Sequence, residues 1–95
     1  MPEGGQWATV AVICVRGPIR RLAGDQAEHA LAAGTVREGL SALERTHPPL
    51  RGWILDEQGR VRRHINIYVN GERAEAATAL APSDRVDVVP AITGG

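Results

Sequence analysis

The sequence predicts a single α+β domain, a mixed sheet of about four to five strands crossed by one main helix. Three observations carry this expectation: a Val- and Ile-rich run near the N-terminus, one well-capped helical stripe in the middle, and strand-like runs around an Asn-Gly turn towards the C-terminus. A chain of 95 residues and 10.1 kDa can bury one core and has no room for a separate cofactor-binding half.

Met1–Gln6 reads as a loose end. Ala8–Val15 is apolar at nearly every position, the pattern of a central strand covered on both sides, and Gly17-Pro18 ends it. Gln26–Ala32 reads as a weaker second strand, because Ala and Glu are poor strand formers. Thr35-Val36-Arg37-Glu38 fits a capping box, in which Thr35 and Glu38 each satisfy a free backbone N–H at a helix start. Val36, Leu40 and Leu43 then form one apolar stripe, and Pro48-Pro49 closes the element. Gly39 costs up to about 1 kcal/mol against Ala inside a helix, so it is expected to mark a close approach to the sheet.

Leu50–Arg63 is a connection, with Ile54-Leu55 tucked beneath the sheet edge. His64–Val69 is a strand with Ile65, Ile67 and Val69 on one face. Asn70-Gly71 predicts a hairpin, since both residues tolerate positive φ, and Glu72–Ala76 is its return arm. Ala81-Pro82-Ser83-Asp84 makes another turn, and Arg85–Val89 is the last strand, with Val86 and Val88 inward. The first and last strands are expected side by side at the sheet centre. A helix covering one face of such a sheet is a β-grasp arrangement. Residues 91–95 are expected to leave that single 1–95 domain as a mobile tail.

Composition excludes several classes of function. Eleven Arg balance eleven Asp plus Glu, and no Lys is present. That balance gives no global field to hold nucleic acid or an anionic membrane, and the missing amine removes Schiff-base chemistry. A single cysteine, Cys14, excludes an intramolecular disulfide and any multi-Cys zinc site; in its apolar run a thiol behaves as a small hydrophobe. That run is too short to span a bilayer. Met1–Gln6 carries Glu3 and no basic residue, so no export signal is expected and the cytoplasm is the expected compartment.

His29, His47 and His64 lie far apart without ligand-spaced partners, so no metal site is expected. Ser41 and Ser83 lack a neighbouring His or nucleophile-elbow glycines. No glycine pattern forms a phosphate loop, and Trp7, Trp53 and Tyr68 are too few for a base-stacking platform. Arg60, Arg62, Arg63 and His64 form a basic cluster, read either as a solvated strand entry or as a contact for an anion or acidic partner. What remains is Gly94-Gly95 with a free α-carboxylate. Without Cβ atoms it is a slim tail able to thread a narrow channel, and an α-carboxyl with a pKa of about 3.5 is ionised at neutral pH. Ala91–Gly95 fully extended reaches roughly 17 Å at about 3.4 Å per residue.

The stretch Asp84-Arg85-Val86-Asp87-Val88-Val89-Pro90-Ala91-Ile92-Thr93-Gly94-Gly95 resembles the C-terminus of the ubiquitin-like MoaD/ThiS sulfur carriers, and His64-Ile65-Asn66-Ile67-Tyr68-Val69-Asn70-Gly71-Glu72 resembles their third strand and hairpin. The latter stretch is especially similar to the CysO-like carriers of cysteine synthesis. The Pro48–Arg63 stretch makes the chain longer than the thiazole-pathway carriers, and Leu22–Ala33 matches no motif of the family.

The resemblance implies a protein co-substrate rather than an enzyme. A ubiquitin-activating-type adenylyltransferase and sulfurtransferase would use ATP and Mg²⁺ to adenylate Gly95, with Gly94 keeping the tail slim. The resulting thiocarboxylate would donate sulfur to a pyridoxal-phosphate-dependent, cysteine-synthase-like partner. The alternatives are a molybdopterin synthase small subunit, paired with the large subunit, and a ubiquitin-like interaction module or protein modifier. No cofactor is expected on the chain itself.

Overall fold

In the computed structural model, residues 10–90 are described, and they form one mixed five-stranded sheet with its helices on one face. The strands are β1 (Val10–Val15), β2 (Glu28–Ala32), β3 (Ile65–Val69), β4 (Glu72–Ala74) and β5 (Arg85–Pro90); the helices are α1 (Pro18–Leu22) and α2 (Val36–Thr46). The strand order is β2-β1-β5-β3-β4. The β1–β5 pair is parallel and the others antiparallel. The first and last strands therefore do lie side by side at the centre, as their Val and Ile content requires. The start of the expected first strand, at residues 8 and 9, falls outside the described residues.

Helix α2 starts on the expected capping box. Thr35 Oγ1 accepts from Glu38 N–H at 3.2 Å, and Glu38 Oε1 accepts from Gly34 N–H at 2.7 Å. The amides of Val36 and Arg37 donate to the carbonyls of Thr78 and Ala76 at 3.0 and 2.8 Å. Those bonds explain why β4 ends at Ala74 instead of running to Ala76: the chain leaves the ladder to receive the helix's free donors. Leu40 and Leu43 are buried in one core with Ile13, Ile67, Val86 and Val88. A Cβ built on Gly39 would lie 2.9 Å from Ile13 Cδ1, the close approach that its unfavourable propensity signalled.

Two expectations need correction. The chain between Gly17 and Gln26, where no element is expected, is not without one. Pro18–Leu22 forms a short helix with Ile19 buried and proline in its first turn, where the missing N–H is not needed. One turn of helix is too short to show a hydrophobic period. The first strand is also not covered on both sides: Ala11, Ile13 and Val15 face the helices, whereas Val10 is 39% exposed and Val12 half-buried on the opposite face. No element covers that outer face among the described residues.

The hairpin forms as expected, with φ of 53° at Asn70 and 88° at Gly71. Ile54 and Leu55 are buried, and Leu55 makes an isolated bridge with Val61. Strand β5 extends one residue beyond expectation, to Pro90, which pairs with Ile65. The register between β1 and β5 ends at Val15 and Val88, so the proline nitrogen has no donor duty towards β1.

Candidate functional site: the outer sheet face and the end of the last strand

Gly94 and Gly95 lie outside the described residues, and the structure fixes only where the chain sets out towards them. Pro90 lies opposite Ile65 at the start of β3, so the exit adjoins Arg62, Arg63 and His64, the residues leading into that strand. Any protein that takes up the chain beyond Pro90 meets this end of the sheet.

The pairing register places one row of outward residues across all five strands: Glu28, Cys14, Asp87, Tyr68 and Arg73. Around it stand charged pairs, with Arg16 and Asp87 at 3.3 Å, Arg85 and Glu28 at 3.5 Å, and Arg85 and Asp87 at 3.7 Å. Cys14 is 3% exposed beneath them. Burial pushes its thiol pKa up, Arg85 pulls against that, and Asp87 and Glu28 add to the rise. A thiol so placed is mostly protonated at neutral pH and a poor nucleophile. The burial expected of Cys14 holds, but beneath charged pairs on the outer face and not in the core under the helices.

Of the other candidates, His29 and His47 meet and the rest stand apart. His29 points inward from β2, its Nε2 2.9 Å from the Gln26 carbonyl and its ring edge-on to His47 at 5.1 Å. His64 is exposed, just ahead of β3. Ser83 occupies a turn at φ 72°, and Ser41 sits on α2. No group of three or more His, Cys, Asp or Glu is gathered at metal-binding distance among the described residues. Among the described residues no helix is long and apolar enough to cross a membrane. Sequence reasoning missed the outer row, because its members are contributed singly by five strands and only the register unites them.

The ThiS family pattern matches residues 13–95. Small archaeal modifier protein 1 of Haloferax volcanii is 36% identical over 61 residues, spanning 64% of this chain and 70% of that protein. Sulfur carrier protein CysO of Mycobacterium tuberculosis is 31% identical over 83 residues, spanning 81% of this chain and 89% of its own length. The crystal structure of the same archaeal modifier superposes with a TM-score of 0.81 at 27% identity, covering 90% of this chain and 99% of that one. That of the mycobacterial CysO gives 0.77 at 27% identity, covering 86% and 99%.

Proposed function

The chain belongs to the ThiS family of ubiquitin-like β-grasp proteins, and on that footing we propose that it is a sulfur carrier whose reacting group is the α-carboxylate of Gly95. The observation that carries the reading is the span of the family match, which runs through the last strand and Pro90 to residue 95. Its homologues are small carriers and modifiers rather than catalysts.

The proposed chemistry has two displacements. A carboxylate oxygen of Gly95 attacks the α-phosphorus of ATP in an adenylating partner, and pyrophosphate leaves with Mg²⁺ balancing its charge. Sulfide-level sulfur, delivered as hydrosulfide by a sulfur donor, then attacks the acyl carbon. AMP departs with the carboxylate oxygen it carries, a proton is lost, and a thiocarboxylate remains. Its sulfur is the better nucleophile and passes to an acceptor held by a second enzyme, in cysteine or related sulfur-metabolite synthesis. Positioning and electrostatic stabilisation come from the partners; this chain supplies the folded body, the tail of residues 91–95 and the reacting end. We place this chemistry in the cytoplasm, where ATP is at hand.

Incubation with the adenylating enzyme, ATP and a sulfur donor should exchange one carboxylate oxygen for sulfur, read by intact-protein mass spectrometry. No mass change with a demonstrably active enzyme would remove the carrier reading. The likeness to an archaeal modifier protein favours a second reading, in which the activated Gly95 is passed to lysines of other proteins. Slower-migrating covalent adducts in cells, lost on deletion of Gly94-Gly95, would mark that outcome. A stable complex with a large molybdopterin synthase subunit would instead mark the molybdopterin role.

A further inference from the structure

Although the chain has no net charge, its arginines are not evenly spread. Arg60, Arg62 and Arg63 do not stand alone: the fold brings Arg37 from α2 and Arg73 from β4 to the same open groove, of about 370 Å³. One carboxylate, Glu75, shares that lining, and Asp56 stands at the adjoining recess. Arg60 pairs with Asp56 at 3.8 Å. Arg37, Arg62, Arg63 and Arg73 have no ion-pair partner among the described residues.

Several of these side chains are already held in place. Arg37 Nε donates to the Gly59 carbonyl at 2.8 Å, and Arg60 contacts Gln58. Arg62 Nε is shielded from solvent without a hydrogen-bond partner, a donor group that is costly to leave unsatisfied. Fixing cations before an anion arrives lowers the entropy lost on binding. The floor of the groove is apolar, made by Ile65, Ile67 and Ala74.

A rim of arginines on an apolar floor suits a peptide surface carrying both acidic and aliphatic side chains. A nucleotide is less suited, since the lining contains no aromatic ring for a base. The groove is bordered by Ile65, the residue that pairs with Pro90, so a protein receiving the chain beyond Pro90 is brought next to it. We propose that this arginine groove docks an acidic, aliphatic-bearing segment of the protein that takes up the Gly95 tail. In naming that partner, the inference rests on the carrier reading. It concerns the helix side of the β3–β4 edge, which meets the outer sheet face only at Arg73, the last member of the outward row.

The test uses the full-length protein with Arg37→Glu and Arg63→Glu combined, both residues being exposed and both lining the groove, with an unchanged melting temperature confirming the fold. In ATP-dependent adenylation, the double variant should show a KM raised about tenfold at low salt with kcat retained, because rim charges act on encounter and affinity. The difference should shrink at high ionic strength. An unchanged KM beside an active wild type overturns the groove and leaves the carrier reading standing. A wild type that is never adenylated overturns the carrier reading. The groove is then read directly, by following backbone amide NMR signals during titration with a synthetic peptide alternating glutamate and leucine. Shifts gathered at residues 37, 60–63 and 73–77 that vanish in the double variant support an acidic-segment site. Shifts elsewhere, or equal shifts with inorganic phosphate alone, overturn it.

Discussion

Cys14 has Glu28 and Asp87 as its cross-strand neighbours, and burial raises its thiol pKa above the ordinary value. Iodoacetamide should therefore modify Cys14 far more slowly in the native protein than in urea. Cys14→Ala should cost no more than roughly 1–3 kcal/mol and leave sulfur acceptance intact; loss of transfer in a folded variant would reveal a reactive thiol. Gly39 is decided by a different contact. Alanine there gains about 1 kcal/mol of helix propensity, but its Cβ would meet Ile13 Cδ1 at 2.9 Å, and Ile13 is buried in the core. Gly39→Ala should therefore lower the melting temperature, overpacking costing about 1–3 kcal/mol. Ile13→Val removes the offending methyl, so it should cost less when combined with Gly39→Ala than alone. A strictly additive double-mutant cycle would show that the two sites do not press on one another.

Two elements are held by short polar motifs. Thr35→Ala removes the acceptor for Glu38 N–H and should cost about 1 kcal/mol of stability. At the other end of the chain, Asp84 ties two turns together. Its Oδ2 accepts from Ala81 N–H at 2.8 Å and its Oδ1 from the Asn70 side-chain amide at 2.9 Å. Asn70 Oδ1 in turn accepts from Arg85 N–H at 2.9 Å. The bond from Ala81, then that from Asn70, holds the Asp84 carboxyl below its usual pKa. A depressed folded-state pKa stabilises the fold above the unfolded value of about 3.9 and loses that contribution as pH falls through the folded value. Asp84→Ala should therefore melt lower than the parent at neutral pH, with the gap closing as pH is taken down through and below about 3.9. A gap independent of pH would assign the effect to turn geometry alone. Helix α2 and the Asn70-Gly71 hairpin were legible in the sequence because their signals lie within a few residues. Helix α1 and the end of β4 were not, since one depends on a single buried Ile19 and the other on amides from a distant helix.

The whole molecule joins a body closely packed at its centre to the end at which the carrier chemistry is proposed. If Gly94 and Gly95 enter a narrow channel in a partner, Gly94→Val should leave the melting temperature and docking of the body unchanged, while strongly reducing adenylate formation. A branched side chain restricts the backbone at that point and adds bulk, so adenylation at the wild-type rate would refute the threaded tail. The sheet centre was legible from apolar content alone. The arginine groove was legible only in part, because Arg37 and Arg73 join Arg60, Arg62 and Arg63 through tertiary folding. The parallel pairing of β1 with β5 also governs the order in which the protein can come into being. A ribosome emits β1 first and β5 after everything else in the sheet, and β5 is the plank between β1 and β3. Until residue 90 has cleared the exit tunnel, the β1–β2 and β3–β4 pairs lack the strand that joins them into one sheet, and a two-stranded pair is marginal by itself. A nascent chain stalled before Arg85 thus cannot close its sheet, and a closed sheet certifies that translation has passed β5.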